Sequence, residues 1–244
     1  MNGKAHALLR LFAVQGAWNY ERMLGVGIGY AAEPLLEDLK AADPVRHSEA
    51  VVRSAEFFNC NPNLAGLALG ATVRAEYDAA PGPQVARLRA ALCSPLGALG
   101  DQLFWAGLLP ALVGAALAAL VLGPAVWAIV GFLVVYNLIR VWTAAWALRT
   151  GLAAGMGVGA AIGGSWIPRA VPRVGLAAGL MVGIAVPLVA TWYLRPFGLV
   201  SAAGVCLIAG AGVMAGRLLG ARMTGSRFAL LAIAVTLLFR LVAR

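Results

Sequence analysis

The sequence predicts an all-α, polytopic membrane protein in which N-terminal amphipathic and re-entrant helices are followed by several transmembrane helices. Three observations carry this expectation. Residues 103–139, 174–194 and 197–216 contain no ionisable charge, and roughly 20 apolar residues in a helix cross about 30 Å of hydrocarbon. All ten carboxylates lie at or before Asp101, and every later charge is an arginine. Charged residues make up 12% of the chain and hydrophobic ones 61%, with a mean hydropathy of +0.85, whereas soluble domains carry about 25% charged residues. An ordinary soluble domain is excluded.

The elements follow in order. From Ala5 to Met23 the apolar residues Leu8, Leu9, Phe12, Trp18 and Met23 keep roughly a helical period among Lys4, Arg10 and Arg22. This pattern suits an amphipathic helix at a membrane surface or against a partner, or one capping its own bundle. Residues 33–40 read as a polar helix broken near Asp43-Pro44, because a proline disfavours helix at the residue before it. Residues 47–58 read as another helix, closed by the turn signal Asn59-Cys60-Asn61-Pro62. Residues 63–78 grow more apolar and then end on Arg74, Glu76 and Asp78, which fits a re-entrant segment better than a full span. Ala79-Ala-Pro-Gly-Pro83 reads as a linker. Two parts of one integrated membrane unit are therefore expected, an N-terminal part over residues 1–93 and a transmembrane part over residues 94–244.

The second part opens on Ser94-Pro-Leu-Gly-Ala-Leu-Gly-Asp101, where Gly97, Gly100 and Asp101 suggest a tight turn and a helix start. Residues 103–139 are long enough for two passes, broken near Gly123-Pro124. Residues 151–168 contain six glycines, each costing about 1 kcal/mol relative to alanine inside a helix. Close backbone packing, or a broken helix lining a cavity, is the expectation there. Residues 174–194 and 197–216 hold one span each, and residues 228–239 a short final helix. Arg217, Arg222 and Arg227 cluster between apolar runs and place that loop in the cytoplasm. The first ten residues lack the apolar core of a secretory signal, so the chain is expected to start in the cytoplasm.

Several function classes drop out. The net charge of +9 comes mostly from arginines flanking apolar runs, where they snorkel to headgroups, and no basic-aromatic groove motif for nucleic acid appears. Cys60, Cys93 and Cys206 have neither metal nor redox spacing. No P-loop, no Gly-x-Ser-x-Gly and no metal-spaced histidines occur. Neither a cofactor, a metal nor a catalytic residue is expected.

Four blocks then carry a resemblance. Gln15-Gly-Ala-Trp-Asn-Tyr-Glu-Arg-Met23, Glu56-Phe-Phe-Asn59 followed by Pro62, Pro95-Leu-Gly-Ala-Leu-Gly-Asp101 with Phe104-Trp105, and Asn137-Leu-Ile-Arg140 occur in this order. Together they resemble the IID component of mannose-family sugar permeases of the bacterial phosphotransferase system. Leu24, Ser54, Ser94 and Leu109 depart from that family's pattern.

The resemblance implies a multi-pass protein of the bacterial inner membrane, itself not an enzyme, paired with a IIC membrane subunit in a hetero-oligomer of IIC–IID pairs. Soluble IIA and IIB carriers, or a fused IIAB, would pass phosphate to an incoming hexose, with membrane lipids as further partners. The alternative reading is a transport-inactive assembly or regulatory scaffold. Asp101, Asn59 and Gln102 are the candidates for the sugar path or its gating. Asp101 also suits a helix cap, and Asn59 a cap at its turn.

Trp18, Asn19, Glu21, Arg22, Glu56, Asn137 and Arg140 are the candidates for the IIC interface or for structural pairing. Arg22 is expected to meet a carboxylate such as Glu56 or a helix C-terminus, or else to be a solvated surface charge. Trp18 and Tyr20 fit a headgroup-level anchor. Asn137 and Arg140, three apart, share a helix face. Arg140 either marks the membrane interface or binds headgroups, IIC or IIB.

Overall fold

A computed structural model of the chain describes residues 2–198 together with Gly204 and Met214. Among these residues every regular element is helical. The expected late features, residues 228–239 and the loop of Arg217, Arg222 and Arg227, lie outside the described residues, as does nearly all of the run 197–216.

Residues 1–186 form one compact unit. Its centre is a helix whose first seven residues are apolar or glycine on every side, the pattern that burial all round requires. This helix, α4 (Ala65–Tyr77), buries eleven of its thirteen residues. At 1.5 Å per residue it rises only about 20 Å, too short to span a bilayer. Around it pack α1 (Lys4–Leu11), α2 (Gly25–Ala42) and α3 (Pro44–Ser54), which supply Leu11, Ile28, Leu35, Leu36 and Ala50 to the core. Asp43 accepts from the Arg46 amide at 3.0 Å while Pro44 opens α3, so the expected break between α2 and α3 is an N-cap followed by a proline at the first helical position.

The expected helix over residues 5–23 is shorter than its apolar period suggests. It stops at Leu11, and residues 12–24 fold as successive turns. Later in these turns the Asn19 Oδ1 accepts from the amides of Glu21 and Arg22 at 3.1 and 2.8 Å, which keeps residues 19–22 out of a helix. Such local bonds compete with the helix.

Arg46 and Arg53 of α3 converge on Glu76 near the end of α4. The distances are 3.0 Å from the Arg46 guanidinium to Oε2 and 2.8 Å from Arg53 Nε to Oε1, with the Glu76 side chain only 3% exposed. Arg46 also donates to the carbonyls of Glu76 and Ala80 at 2.7 and 2.6 Å, satisfying the open C-terminal end of α4.

The expected linker at residues 79–83 is instead a tight helix–helix turn. Ala79 takes a positive φ of 54° and the Ala80 amide donates to the Ala75 carbonyl at 3.0 Å, a left-handed ending of α4. The next helix, α5 (Gly82–Gly100), packs back along α4. Residues 93 and 94, the expected boundary between the two parts, both lie inside α5.

Helix α5 continues without a break through a π-helical segment, Asp101–Leu108, into α6 (Leu109–Leu122). Asp101 therefore does not start a helix. Gly100 and Asp101 hold helical backbone angles of −69°, −40° and −68°, −40°. Gly100 serves close approach rather than a turn, since a Cβ there would lie 2.2 Å from the Asn61 Cβ. Pro110 has no amide hydrogen to return to the preceding turn, and the wider π turns fall immediately before it.

The expected break at Gly123-Pro124 separates α6 from α7 (Ala125–Ala154). The glycine-rich stretch 151–168 combines both expected behaviours. Gly151 ends a tight crossing in which Gly66 and Gly70 of α4 face Ala147 and Gly151 of α7. Cβ atoms at Gly70 and Gly151 would lie 2.5 Å from the Leu152 nitrogen and 2.4 Å from the Leu67 carbonyl oxygen. Small residues four apart let two helix backbones touch. The chain then breaks at Gly155, with φ of 50°, into a short α8 (Val158–Gly163) before α9 (Ile167–Leu194). Gly107 and Gly114 admit Val174 and Met181 of α9 against the π segment and α6.

Among the described residues, three stretches are long and apolar enough to cross a membrane: Gly82–Leu122, Ala125–Gly163 and Ile167–Leu194. Little of their apolar surface is covered by the chain itself. Leu122, Trp127, Leu138 and Leu176 are all exposed. The twenty residues 103–122 rise about 30 Å, the thickness of the hydrocarbon core. The second compact unit, residues 187–244, is described over the end of α9 and the 3-10 turn Arg195–Phe197.

Candidate functional site

Asp101 and Arg140 bracket the uncharged hairpin of α6 and early α7, and a chain of side chains joins them across its base. Asn61 Nδ2 donates to Asp101 Oδ1 at 2.9 Å. Asn61 Oδ1 accepts from both the backbone amide and the side-chain amide of Asn63, each at 3.1 Å. Arg140 Nε donates to Asn63 Oδ1 at 3.2 Å, and its guanidinium reaches Asn137 Oδ1 at 3.4 Å. The two asparagines thus relay between a carboxylate and a guanidinium that do not touch. Asn61 is 1% exposed and Asn63 5% exposed, so their amides depend on these partners.

Local sequence explains the placement. Asn61 precedes Pro62 and caps a 3-10 turn, Pro62–Leu64, that leads into α4, a pairing of cap and proline that suits a helix start. Arg140 lies 6.0 and 5.8 Å from the ring centres of Phe12 and Tyr136, within cation–π range. Gln15, Phe12, Asn63 and Arg140 enclose a recess of about 10 Å³, room for about one water. No hexose fits inside it.

The first two family-like blocks are joined through backbone. The Leu24 amide donates to the Phe58 carbonyl at 2.9 Å, and the Phe58 amide to the Arg22 carbonyl at 3.2 Å. Gly25 is needed here, because a Cβ would lie 2.0 Å from the Glu56 carbonyl oxygen. The expected Arg22–Glu56 ion pair is not made. Both side chains are exposed, and the Glu56 carbonyl accepts instead from Arg89 at 2.7 Å. Arg89 is itself 3% exposed, with its guanidinium over the Phe58 ring.

The other sequence candidates fall as follows. Asn59 is exposed, and the cap of its turn is Asn61. Gln102 is exposed beside Asp101. Asn19 organises the first block, while Glu21 projects outward. Trp18 and Tyr20 meet edge-on at 4.9 Å, with Tyr20 84% exposed. Asn137 donates back to the Leu133 carbonyl at 2.8 Å. Asn61, Asn63 and Gln15 were missed by sequence reasoning, although the Asn-Pro cap signal would have found Asn61. Among the described residues, no three His, Cys, Asp or Glu side chains come together as metal ligands.

Two expected outcomes arise here. Gly100→Ala drives a methyl into Asn61 and is expected to destabilise the fold by about 1–3 kcal/mol, the range for overpacking, read as a lowered unfolding temperature in detergent. Burial, reinforced by nearby Cys93, pushes the Cys60 thiol far above its ordinary range. In a chain carrying Cys93→Ser and Cys206→Ser, Cys60 is therefore expected to stay unlabelled by maleimide from pH 7 to about 9.

These features define a helical membrane protein whose amphipathic N-terminal helices and transmembrane hairpin are tied together by one polar relay. The family model for the PTS system mannose/fructose/sorbose family IID component matches residues 3–194, and the chain belongs to that family. It is 31% identical over 144 residues to the PTS system mannose-specific EIID component of Escherichia coli (strain K12), covering 55% of this chain and 49% of that protein. It is 29% identical over 139 residues to the fructose permease IID component of Bacillus subtilis (strain 168), covering 55% and 50%. The chain thus spans about half the length of the curated relatives it matches.

Its fold resembles a chain of the cryo-EM structure of mannose transporter ManYZ with microcin E492, at a TM-score of 0.57 and 24% identity over 74% of this chain and 67% of that one. A second solved membrane protein matches over the same shares, also at 24% identity, with a TM-score of 0.63.

Proposed function

We propose that this chain is the IID membrane subunit of a mannose-type permease, pairing with a IIC subunit to form the path for a hexose that is phosphorylated through IIA and IIB. One observation carries the reading: residues from all four family-like blocks meet at one place. Gln15 of the first block and Pro62 of the second line the recess beside Arg140, Asp101 of the third is tied to Asn61 next to Pro62, and Asn137 with Arg140 belongs to the fourth. Leu24, Ser54, Ser94 and Leu109, which depart from the family pattern, all lie outside the relay.

The relay is best suited to positioning. It fixes the base of the apolar hairpin, whose exposed faces await lipid or a IIC subunit, and it leaves Asp101 and Gln102 open at the edge. Because the recess holds about one water, the sugar path needs walls from the second subunit. In this reading the chain is non-catalytic, multi-pass in the bacterial inner membrane, and assembled as a hetero-oligomer of IIC–IID pairs. Neither His6 nor His47 is used as a phosphoryl carrier.

Co-expression with a candidate IIC subunit, followed by phosphoenolpyruvate-dependent phosphorylation of labelled hexoses with added IIA and IIB, tests the proposal. A complex that forms and phosphorylates a hexose is expected. A well-formed complex that phosphorylates none overturns the transport reading.

A further inference from the structure

Between the π segment, α7 and α9 lies a cavity of about 210 Å³ lined by Leu103, Phe104, Trp142, Trp166, Ala170 and Val174, among others. The surface it presents is apolar, and the polar atoms in its lining, the Thr143 hydroxyl and the Trp166 indole nitrogen, are buried without partners among the described residues. An apolar cavity stays free of water, and these helices are surrounded by acyl chains rather than solvent. Trp142 and Trp146 close around Trp166 at centroid distances of 5.1 and 5.4 Å, a grouping that suits the level of the lipid headgroups.

Charge beside the cavity indicates which lipid would occupy it. Ala170 and Val174 are four residues apart on one face of α9. Arg169 and Arg173, each one residue earlier, flank that face and are exposed. Among the described residues neither has a carboxylate partner, and Arg169 makes only a 3.4 Å contact to the Ser165 carbonyl. No acidic residue follows Asp101 anywhere in the chain. A phosphate is the anion available at that depth, and arginine binds it well.

We propose that this cavity holds one acyl chain of an anionic phospholipid whose phosphate is bound by Arg169 and Arg173. The proposal rests on the membrane placement of the helices and not on the transport reading, so either can fail alone.

The test uses the full chain in phosphatidylcholine nanodiscs doped with phosphatidylglycerol brominated on its acyl chains, which quenches nearby tryptophans. A parallel series uses brominated phosphatidylethanolamine. Saturable quenching at low mole fraction is expected with the anionic lipid only. Arg169→Gln and Arg173→Gln should each raise the half-saturating fraction about fivefold, the effect of one basic side chain at an anionic surface. Ala170→Phe fills the cavity and should remove the saturable component, and inorganic phosphate should not displace the lipid. Quenching that is linear in mole fraction and equal for the two lipids overturns the proposal, as do arginine variants that bind unchanged or displacement by phosphate alone. If Ala170→Phe does not fold, the comparison of the two lipids on the unaltered chain still decides.

Discussion

Glu76→Ala is expected to lower stability by about 3 kcal/mol, the lower end for breaking a buried pair. It removes the one buried carboxylate between two half-buried arginines, of which Arg53 keeps only the exposed Glu49 at 3.8 Å. Arg46 and Arg53 approach Glu76 at 3.0 and 2.8 Å, at a side chain only 3% exposed. The half-buried arginines have only limited access to water that could replace the lost partner. The loss also falls on a junction: Arg46 satisfies the end of α4, and α4 is the helix around which the unit of residues 1–186 is built. The variant is expected to aggregate or elute as a broad species in fluorescence-detected size exclusion, with an unfolding temperature many degrees lower. Glu76→Ala combined with Arg53→Met should recover part of the loss, since one of the two half-buried charges is removed with its partner. An unchanged melting profile for Glu76→Ala would show that the triad contributes nothing.

Gly70→Val is the second large effect. A Cβ at this position would lie 2.5 Å from the Leu152 nitrogen and 2.6 Å from the Leu148 carbonyl oxygen. Both are backbone atoms of α7, so no side chain can swing aside. The helices must separate, which also pulls Asn63 away from Arg140. A loss of about 3 kcal/mol, the upper end for overpacking, is expected, and it should appear as reduced yield of folded protein. Gly97→Val serves as the control on the same measurement, since a Cβ at Gly97 meets nothing within 4 Å.

Much of this architecture was legible in the sequence for a simple reason. Charge-free runs of membrane length have few alternatives to a helix, so the hairpin broken at Gly123-Pro124 and the span within α9 followed from composition. The broken stretch at 151–168 was legible because glycines cannot hold a lipid-facing helix on propensity alone.

The misreadings share a different cause, which is that glycine and asparagine act through neighbours distant in sequence. Gly97 and Gly100 resemble a turn before Asp101, yet the backbone stays helical and Gly100 exists to admit Asn61, 39 residues earlier. The end of α1 was obscured because the apolar period continues past Leu11, although the backbone leaves the helix there for a run of turns, the last of them held by Asn19. Asp101 and Arg140 stood out as lone charges at the edges of apolar sequence. The asparagines between them did not, since no local pattern distinguishes a relay from a turn.

The central claim is that Asn61 and Asp101 act as one unit at the base of the hairpin, and exchanging the two residues tests it most directly. Asp101→Asn keeps an acceptor for Asn61 Nδ2 and should weaken the bond only from charge-assisted to neutral strength. Asn61→Asp places two carboxylates at the present 2.9 Å contact and should cost about 1.5–3 kcal/mol, with loss of IIC co-purification and of hexose phosphorylation. In the double variant, Asp at 61 accepts from Asn63 while Asn at 101 donates back, so every bond is restored with the roles reversed. The expected result is recovery of assembly and phosphorylation to near the Asp101→Asn level. A double variant as impaired as Asn61→Asp alone would contradict the relay and leave Asp101 and Asn61 as unrelated neighbours.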